Sequence, residues 1–479
     1  MTDNTQEKEQ LKAEDFLISS LKLKNNSILG NMDLSFKHDN GVFSTVIFAG
    51  NNGCGKTTIL AILNECVRLL TFTNNYVDTR NKKNNQQVRV NAGGKSEEQS
   101  FHVSSNYRCP HFMNGTITIK LEDSNNNILS FDFVFDNSSD TRKITVALNE
   151  VEITYLADNI FLHKSLLFEL PSRLKREGQI KQDIQALYNS ESSSALSIVM
   201  LENDDINADN LKELKTKKYG EFLRKHFNMG LSLQPHANND IRINKKGISP
   251  FSIDTLSSGE KEIIYRSFSF FDKQKEISKP RFVFIDEPEP NLHPLWQRGV
   301  LKSYRTTFDN YKNIQLFVAT HSDHILHSAL QDNDTLIVKL GDKTPQYYFK
   351  NGNGIICPTT TIGEIKWSVF NIATADFHIT LYGYIVDKAN VSHGINGCDD
   401  FIRTTNAYNA NSAEFETQFP RYRNYNGAVY TTETLPTYMR NTIHHLSANR
   451  NLFSKNEEFE KALIKSINLL IDIIKENNW

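Results

Sequence analysis

The chain has 479 residues, which is too long for one ordinary domain and predicts roughly two or three. Lysine and arginine number 54 and aspartate and glutamate number 56, so the formal net charge is −2. A chain this close to neutrality gives no overall electrostatic support for nucleic-acid binding, and any such contact must rest on a local basic surface.

The N-terminal end and the cysteines predict a cytoplasmic protein without a membrane span. Residues 1–14 are polar and carry charges of both signs, unlike a secretory leader, and no apolar run of about 18 residues occurs. The five cysteines are too scattered for a disulfide framework or a CxxC metal pair: Cys54, Cys66, Cys109, Cys357 and Cys398. Cys109 and His111 alone fall short of the four ligands of a structural zinc site, so no metal is expected there.

The first hundred residues predict three strands and a helix. Alternating apolar residues predict strands over 16–23 and 32–36, and the apolar, β-branched run 42–49 predicts a buried strand that ends at a glycine. Apolar residues at helical spacing predict a helix over 57–72, and an Asn-rich loop follows over 74–99.

The middle of the chain combines strand patterns with a helical insertion. Alternation predicts strands over 116–121 and 129–135, and a basic, helical pattern predicts an inserted subdomain over about 160–235. Short buried strands separated by helical stretches follow at 281–285, 314–319 and 335–340. Because strands and helices alternate there, we predict an α/β fold with a mostly parallel sheet covered on both faces.

The last block of the chain differs from the rest. It shows no strand pattern, and it carries amphipathic helical patterns over 377–389 and 461–475. We therefore predict two domains: an α/β domain over 15–355 that contains the insertion, and an all-helical C-terminal domain over 360–479.

The segment 50–57 reads GNNGCGKT and fits G-x-x-x-x-G-K-[ST] between a buried strand and a helix. Glycines let backbone N–H groups surround an anion, and the helix N-terminus adds a favourable dipole. Lys56 would then reach the β and γ phosphates, and the Thr57 hydroxyl would bind Mg²⁺. The predicted nucleotide-binding residues are Gly50, Asn51, Asn52, Gly53, Cys54, Gly55, Lys56, Thr57 and Thr58. A glycine-rich turn with a chance lysine is the alternative, and the strand and helix around the motif disfavour it.

A hydrophobic strand over 281–285 ends in two adjacent carboxylates, Asp286 and Glu287. Ligand sites in open α/β sheets lie at the carboxyl ends of the strands. We predict that Asp286 helps to hold the metal and that Glu287 is a catalytic residue that orients or polarises the attacking water. Alone this pair is a weak signal, since strand ends are often charged, but together with the phosphate loop it is a strong one.

Two further segments predict contacts with a γ-phosphate. Residues 256–261 read LSSGEK and open a helix, so Ser257, Ser258, Gly259 and Glu260 form a second anion-binding turn. One phosphate loop needs no second anion-binding turn, so we expect this turn to cap the γ-phosphate bound by another subunit. The alternative is a plain helix N-cap. His321 follows a buried strand, where it could sense the γ-phosphate as a catalytic residue or be an ordinary strand-end residue.

The order of phosphate loop, LSSGE, hydrophobic-DE and strand-His resembles the ABC-type ATPases over roughly 15–349. The segment 286–294, DEPEPNLHP, is similar to that of the OLD-type and related AAA-class ABC ATPases of bacterial defence systems. The resemblance implies ATP and Mg²⁺ as cofactors, and residues 291–294 facing the partner subunit in an ATP-sandwich dimer.

Several family features are missing from the sequence. The spacing between phosphate loop and LSSGE is too short for the coiled-coil arms of SMC or Rad50 proteins, and no Toprim-like set of carboxylates follows His321. The glutamine of the family's Q-loop is not assignable, and Gln99 is the only near candidate.

In the C-terminal block, Arg440, Asn441 and His445 fit R-N-x-x-x-H, which resembles the active-site motif of HEPN ribonucleases. Arginine would stabilise the charged phosphorane and histidine would move a proton. The match is short, so carboxylate binding, a subunit interface or a structural cap near Pro436 stay open as alternatives.

The resemblance favours an ATP-binding and ATP-hydrolysing sensor subunit of an anti-phage complex, like the ATPases of the two-component Septu and PARIS systems. Such a subunit would form homo-oligomers through ATP-sandwich dimers, respond to a phage-derived trigger and control a separate effector nuclease encoded nearby. Two alternatives remain. One is a self-contained toxin whose HEPN-like C-terminus cuts RNA under ATPase control. The other is an SMC/Rad50-like DNA-repair ATPase, for which the basic stretches around Arg173 and Lys218 would supply local contacts.

Overall fold

The computed structural model describes part of the chain, and the account below is restricted to that part. The described ranges are 16–38, 41–78, 88–89, 98–102, 115–126, 128–136, 143–149, 166–168, 224, 231–235, 241–245, 248–252, 255–261, 263, 282–307, 314–342, 344–420, 432–444 and 456–479. The chain divides into two compact units, 1–347 and 348–479. The boundary predicted between 355 and 360 falls shortly after this division.

The elements up to residue 349 are mostly strands. In chain order these are β1 (Leu17–Asn26), β2 (Gly30–Ser35), β3 (Lys37–His38), β4 (Gly41–Val42), β5 (Thr45–Ala49), β6 (Val88–Arg89), β7 (Glu98–His102), β8 (Gly115–Glu122), β9 (Ile128–Asp136), β10 (Lys143–Asn149), β11 (Leu166–Phe168), β12 (Leu231–Pro235), β13 (Ile241–Lys245), β14 (Ile248–Ser252), β15 (Phe282–Asp286), β16 (Gln315–Thr320), β17 (Thr335–Lys339) and β18 (Gln346–Phe349). The helices are α1 (Lys56–Asp78), α2 (Pro294–Thr307) and α3 (Asp323–Ala329).

The central sheet has the order β11-β15-β16-β5-β17-β18, and the pairs from β11 to β17 are parallel. Every residue of β5 and β16 is buried, as expected of parallel strands covered on both faces. The predicted α/β fold with a mostly parallel sheet is therefore confirmed. Because these strands run in one direction, the loops after β5, β15 and β16 all begin at the same edge.

Aromatic side chains fill the interior around this sheet. The Phe317 ring lies 5.3 Å from that of Phe284 and 6.3 Å from that of Phe48, both nearly parallel to it. The ring of Phe36 meets Phe317 edge-on at 5.6 Å. All four rings are fully buried, so they join the three strands that carry the site by apolar burial and ring contacts.

A second, antiparallel sheet has the order β2-β1-β8-β9-β10-β7-β6, and β12, β13 and β14 form a third. The buried side chain of Gln315 links β1 to the central sheet. Its Nε2 donates to Ile18 O at 2.9 Å and Phe43 O at 3.0 Å, and its Oε1 accepts from Ile18 N at 2.7 Å. A polar residue is tolerated at this depth because these hydrogen bonds satisfy its amide.

The predicted helical insertion, about 160–235, lies mostly outside the described residues. Two strands fall inside it, β11 at the edge of the central sheet and β12 in the three-stranded sheet. The prediction missed them: β11 has only three residues, too few to establish a period of two.

The second unit is mainly helical. Its helices are α4 (Ile362–Phe370), α5 (Ala375–Ala389), α6 (Gly394–Thr404), α7 (Asn406–Asn409), α8 (Ser412–Phe415), α9 (Leu435–His444) and α10 (Asn456–Glu476). The two amphipathic helices predicted from the sequence correspond to α5 and α10, which pack on a common apolar core. None of the helices in the described ranges combines the length and apolar character that crossing a bilayer requires.

One detail of the second unit corrects the all-helical prediction. The segments β19 (Glu416–Pro420) and β20 (Thr432–Thr434) pair as a two-stranded antiparallel sheet. Arg403 holds the pair together, because its guanidinium binds the Glu416 carboxylate and also donates to Thr432 O at 2.8 Å. The strands are polar and fixed by charge, so they show no apolar alternation in the sequence.

His378 on α5 is completely buried, and its Nε2 lies 2.7 Å from Ser466 Oγ on α10. Burial lowers the pKa of His378 to about 3. Its ordinary value of about 6.5 applies to the unfolded chain, so between these two values the unfolded state binds the extra proton. The stability contributed by this group is therefore present above pH 6.5 and is lost as the pH falls below it.

We expect the unfolding free energy of the wild-type second unit to fall by about 2 kcal/mol more than that of His378→Gln between pH 7 and pH 5. Glutamine stays neutral and can keep the bond to Ser466. Urea unfolding followed by the fluorescence of Trp367 and Trp479, which pack on this core, measures the difference in a common Trp296→Phe background. Equal pH slopes in the two proteins would contradict the burial of a neutral histidine.

Candidate functional site

The phosphate-loop sequence lies between β5 and α1, as the motif requires. Gly50 and Gly55 have φ of 149° and 96°, in the region that favours glycine. A Cβ on Gly50 would lie 2.7 Å from Leu340 O, and a Cβ on Gly55 would lie 2.5 Å from Leu29 Cδ2. Backbone conformation therefore favours glycine at both positions, and at Gly50 the close backbone carbonyl of Leu340 requires it as well.

The Lys56 ammonium spans the loop. Its Nζ donates to Gly50 O at 3.0 Å and to Asn51 O at 3.1 Å, and it lies 3.4 Å from His321 Nδ1. The side chain is only 4 % exposed, so its charge is held at the loop rather than in solvent. An anion in the loop would meet this positive charge. The Lys56 ammonium could then exchange its hydrogen bonds to the two carbonyl oxygens for hydrogen bonds to phosphate oxygens.

The two predicted metal ligands lie next to each other. The Thr57 hydroxyl, on the first turn of α1, donates to Asp286 Oδ1 at the end of β15 at 3.1 Å. A hydroxyl and a carboxylate are oxygen ligands of the kind that Mg²⁺ prefers, with phosphate oxygens and water completing its shell. Within the described ranges, no group of three or more His, Cys, Asp and Glu side chains could hold a metal by itself. The hydroxyl and the carboxylate fit a Mg²⁺ ion that would arrive with a nucleotide, because both are oxygen ligands.

Glu287 and His321 face each other across the edge of the sheet. His321 Nε2 lies 3.4 Å from Glu287 Oε1, and Glu287 N donates to Ala319 O at 2.9 Å. Glu287 has a φ of 42°, a strained conformation for a residue with a side chain, and strain of this kind concentrates at functional sites.

Burial lowers the pKa of His321, the positive charge of Lys56 lowers it further, and Glu287 opposes both. The imidazole is therefore neutral at neutral pH. In that form, Nδ1 can accept from Lys56 while Nε2 donates to Glu287. His321 thus connects the lysine that is predicted to bind phosphate to the carboxylate that is predicted to orient water.

The predicted second anion-binding turn forms a capping box. Ser257 N and Oγ donate to Glu260 Oε2 at 3.0 Å and 2.8 Å, and Glu260 N donates back to Ser257 Oγ at 3.3 Å. A Cβ on Gly259 would lie 2.5 Å from Asn291 O, so the turn packs on the loop after β15. Ser257 and Ser258 are exposed. Within one chain the turn is therefore bonded as a helix N-cap, which is the alternative named above. None of these hydrogen bonds joins the turn to the phosphate loop.

A cavity of about 830 Å³ adjoins the phosphate loop. It lies between the β1–β2 turn and the loop after β17, and it is lined by Lys22, Leu23, Lys24, Asn25, Leu29, Asn31, Met32, Asp33, Leu340, Gly341, Asp342, Thr344 and Pro345. Two of these residues, Leu29 and Leu340, also limit the space at Gly55 and Gly50. The cavity therefore offers room for the remainder of a nucleotide whose phosphates enter the loop.

The residues of the predicted C-terminal motif lie in the second unit. Arg440 Nη1 donates to Asn441 Oδ1 at 3.0 Å, and Asn441 Nδ2 donates to Glu433 Oε1 at 2.8 Å, so this pair supports the start of α9. His445 lies outside the described residues, as do Cys109, His111, Arg173 and Lys218. Gln99 lies in β7, and its side chain is not described.

Two residues of the site were missed by the sequence analysis. Glu289 Oε1 accepts from His321 N at 2.5 Å, and Gln297 Oε1 accepts from Ser322 Oγ at 2.5 Å. Glu289 lies inside the DEPEPNLHP segment, so the motif itself was a signal for it. No pattern in the sequence identifies Gln297.

Known proteins are similar to parts of this chain. A family model, AAA_21, described as "AAA domain, putative AbiEii toxin, Type IV TA system", matches residues 46–327. The curated "Retron Ec83 probable ATPase" of Escherichia coli is 28 % identical over 176 residues, which are 35 % of this chain and 29 % of that protein. The "Retron Vc95 probable ATPase" of Vibrio cholerae serotype O1 biovar El Tor is 22 % identical over 71 % of this chain and 76 % of its own length.

A solved structure, the SMC head domain from Thermotoga maritima, matches this chain over 69 % of its length and over 97 % of the length of that domain. It is 15 % identical, and its TM-score is 0.38.

Cys54 gives a direct probe of the loop. It is half-buried, whereas Cys66, Cys357 and Cys398 are buried. We expect iodoacetamide to label Cys54, and MgATP at ten times its Kd to slow this labelling about tenfold, since only the free form reacts. Peptide mapping by mass spectrometry separates the sites, and Lys56→Ala is the control that should lose protection. Labelling of Cys54 at an unchanged rate in saturating MgATP would place the nucleotide elsewhere.

Proposed function

The chain belongs to the AAA_21 family of AAA domains, and from this premise we propose that it binds and hydrolyses ATP as the regulatory subunit of an anti-phage complex. The observation that carries the proposal is the meeting of five predicted residues at one edge of the parallel sheet: Lys56, Thr57, Asp286, Glu287 and His321. They come from three segments: Lys56 and Thr57 begin α1, Asp286 and Glu287 lie at the end of β15, and His321 follows β16. Together they supply a cation, metal ligands and a base.

The roles follow from the contacts. Lys56 would exchange its carbonyl partners for phosphate oxygens, and Thr57 and Asp286 are the residues that would hold Mg²⁺. The bound ion supplies charge neutralisation of the β and γ phosphates. Glu287 orients the attacking water, and the neutral His321 donates to Glu287 and keeps that carboxylate in place. The cavity beside the loop receives the base and ribose.

We propose that a second copy of the chain completes this site. Ser257 and Ser258 lie exposed on a helix start, where they can cap the γ-phosphate of a partner's ATP. The capping box orders this turn before any contact is made, and its packing on Asn291 joins it to the loop after Glu287. ATP binding would then close two chains together and hydrolysis would release them, as in switches that depend on a γ-phosphate.

Two curated relatives are named as probable ATPases of retrons, which supports a role in phage defence. The chain spans less than a third of the first of these relatives. We propose that the present protein senses a phage-derived trigger and controls a separate effector nuclease encoded beside it. Contacts with nucleic acid, if the complex makes them, would be local because the net charge is −2.

Substitution of Glu287 separates binding from hydrolysis. Glu287→Gln keeps the shape of the side chain but removes the base, so we expect ATP turnover to fall about a hundredfold or more while MgATP binding persists. Sedimentation in MgATP should show an ATP-dependent dimer of Glu287→Gln, and Lys56→Ala should show neither binding nor the dimer. Turnover of Glu287→Gln within about twofold of the wild type would refute the role given to this residue.

The effector is tested by expressing the chain together with the reading frames on either side of it. We expect a neighbouring protein to co-purify with the ATPase, and protection from phage to require both proteins. A chain that purifies alone and protects fully by itself would refute the separate effector and favour the self-contained toxin.

A further inference from the structure

The carboxylate of Glu289 fixes the backbone on which His321 stands. Its Oε1 accepts from His321 N at 2.5 Å, and the hydroxyl of Thr320 bonds to the same carboxylate. Ser322 N in turn donates to Thr320 Oγ1 at 3.0 Å. The turn at 320–322 is therefore closed around one carboxylate that comes from the loop after β15.

This turn decides where the His321 imidazole lies. Its Nδ1 is 3.4 Å from Lys56 Nζ, and its Nε2 is 3.4 Å from Glu287 Oε1. Both contacts are at the outer limit of hydrogen-bond length, so a small movement of the backbone would break either of them. Glu289 can therefore influence both contacts through the His321 backbone. The hydrogen bonds described above do not join it directly to Lys56 or Glu287.

A second tie joins the same turn to the loop that precedes α2. Ser322 Oγ bonds to Gln297 Oε1 at 2.5 Å, and Gln297 Nε2 donates to Leu292 O at 2.8 Å. Leu292 N donates to Glu289 O at 3.0 Å, which closes the loop onto Glu289 itself. The 291–293 loop and the histidine turn are therefore connected by two side chains, Glu289 and Gln297.

The environment of Glu289 is costly for a carboxylate. Its Oε2 is buried and has no hydrogen-bond partner among the residues that the structure describes. Burial raises its pKa, and the hydrogen bonds from His321 and Thr320 act in the opposite direction. Both of these bonds need an acceptor at this position, and an amide oxygen could supply the same acceptor without the cost of a buried charge.

We propose that Glu289 is a positioning residue for ATP hydrolysis, which acts through His321 by accepting hydrogen bonds and, together with Gln297, ties the histidine to the 291–293 loop. The inference rests on the proposed function and deepens it. Contact of another molecule with the 291–293 loop would shift His321 relative to Lys56 and Glu287, which connects partner binding to the rate of hydrolysis.

The test is a double-mutant cycle between Glu289 and His321, with kcat and KM for ATP measured for each variant. We expect Glu289→Ala to lower kcat about 10- to 100-fold and to change KM by less than about threefold, because the phosphate loop is intact. Glu289→Gln keeps the acceptor and should stay within about threefold of wild-type kcat. In a His321→Ala background, Glu289→Ala should cause little further loss, because both substitutions remove the same interaction.

Three results would overturn the inference. Equal losses in Glu289→Gln and Glu289→Ala would mean that the charge itself acts, and multiplied losses in the double variant would mean that Glu289 does not act through His321. Wild-type kcat in Glu289→Ala would mean that it has no part in turnover.

Two controls keep the outcomes separate. Thermal unfolding compares the fold of each variant, and if Glu289→Ala does not fold, Gln297→Leu takes its place in the same cycle with the same expected non-additivity. Wild-type turnover that is abolished by Lys56→Ala establishes the proposed function independently of the cycle. A wild-type chain that hydrolyses no ATP would overturn the proposed function and this inference with it, a result unlike any of the three above.

Discussion

The parallel pairing of β15, β16 and β5 is the constraint on which the site depends. Register pairs Asp286 with Ala319 and Thr320 with Ala49, so the three strands end almost level. The phosphate loop, the two carboxylates and the histidine turn therefore begin side by side, although more than two hundred residues separate the first from the last. The buried rings of Phe284 on β15 and Phe48 on β5 pack against Phe317 on β16 and add apolar contact between the three strands.

Charge is organised around this edge. Lys56 lies at one side of His321 and Glu287 at the other, and burial keeps the imidazole between them neutral. Thr57 on the first turn of α1 and Asp286 at the end of β15, the two predicted metal ligands, are joined by a separate hydrogen bond. His321 is thus the contact between the lysine of the phosphate loop and the carboxylate of Glu287. The Glu289 carboxylate accepts a hydrogen bond from the backbone of the same histidine.

Much of this arrangement could be predicted from the sequence. The phosphate-loop glycines, the buried strands and the carboxylates at a strand end are each recognisable from a short stretch of residues. The parallel sheet and its strands at β5, β15, β16 and β17 follow from apolar runs and are confirmed. Glu289 and Gln297 could not be placed in the same way, because their function depends on which distant backbone group lies within reach. The short strands β11, β19 and β20 were missed for a related reason, because their side chains show no alternation of apolar and polar residues. Pairing with β15 defines β11, and the Arg403 contacts hold β19 and β20 together. The roles assigned to the site residues remain predictions.

The magnesium dependence of ATP turnover in the wild type and in Asp286→Asn tests the central claim most directly. The claim is that level strand ends assemble one metal-dependent ATP site from Thr57 and Asp286. It predicts no wild-type turnover in excess EDTA. It also predicts that the Mg²⁺ concentration for half-maximal turnover is at least about ten times higher for Asp286→Asn than for the wild type, because asparagine is a neutral and weaker ligand. Turnover that persists in EDTA, or identical magnesium curves for the two proteins, would contradict the account.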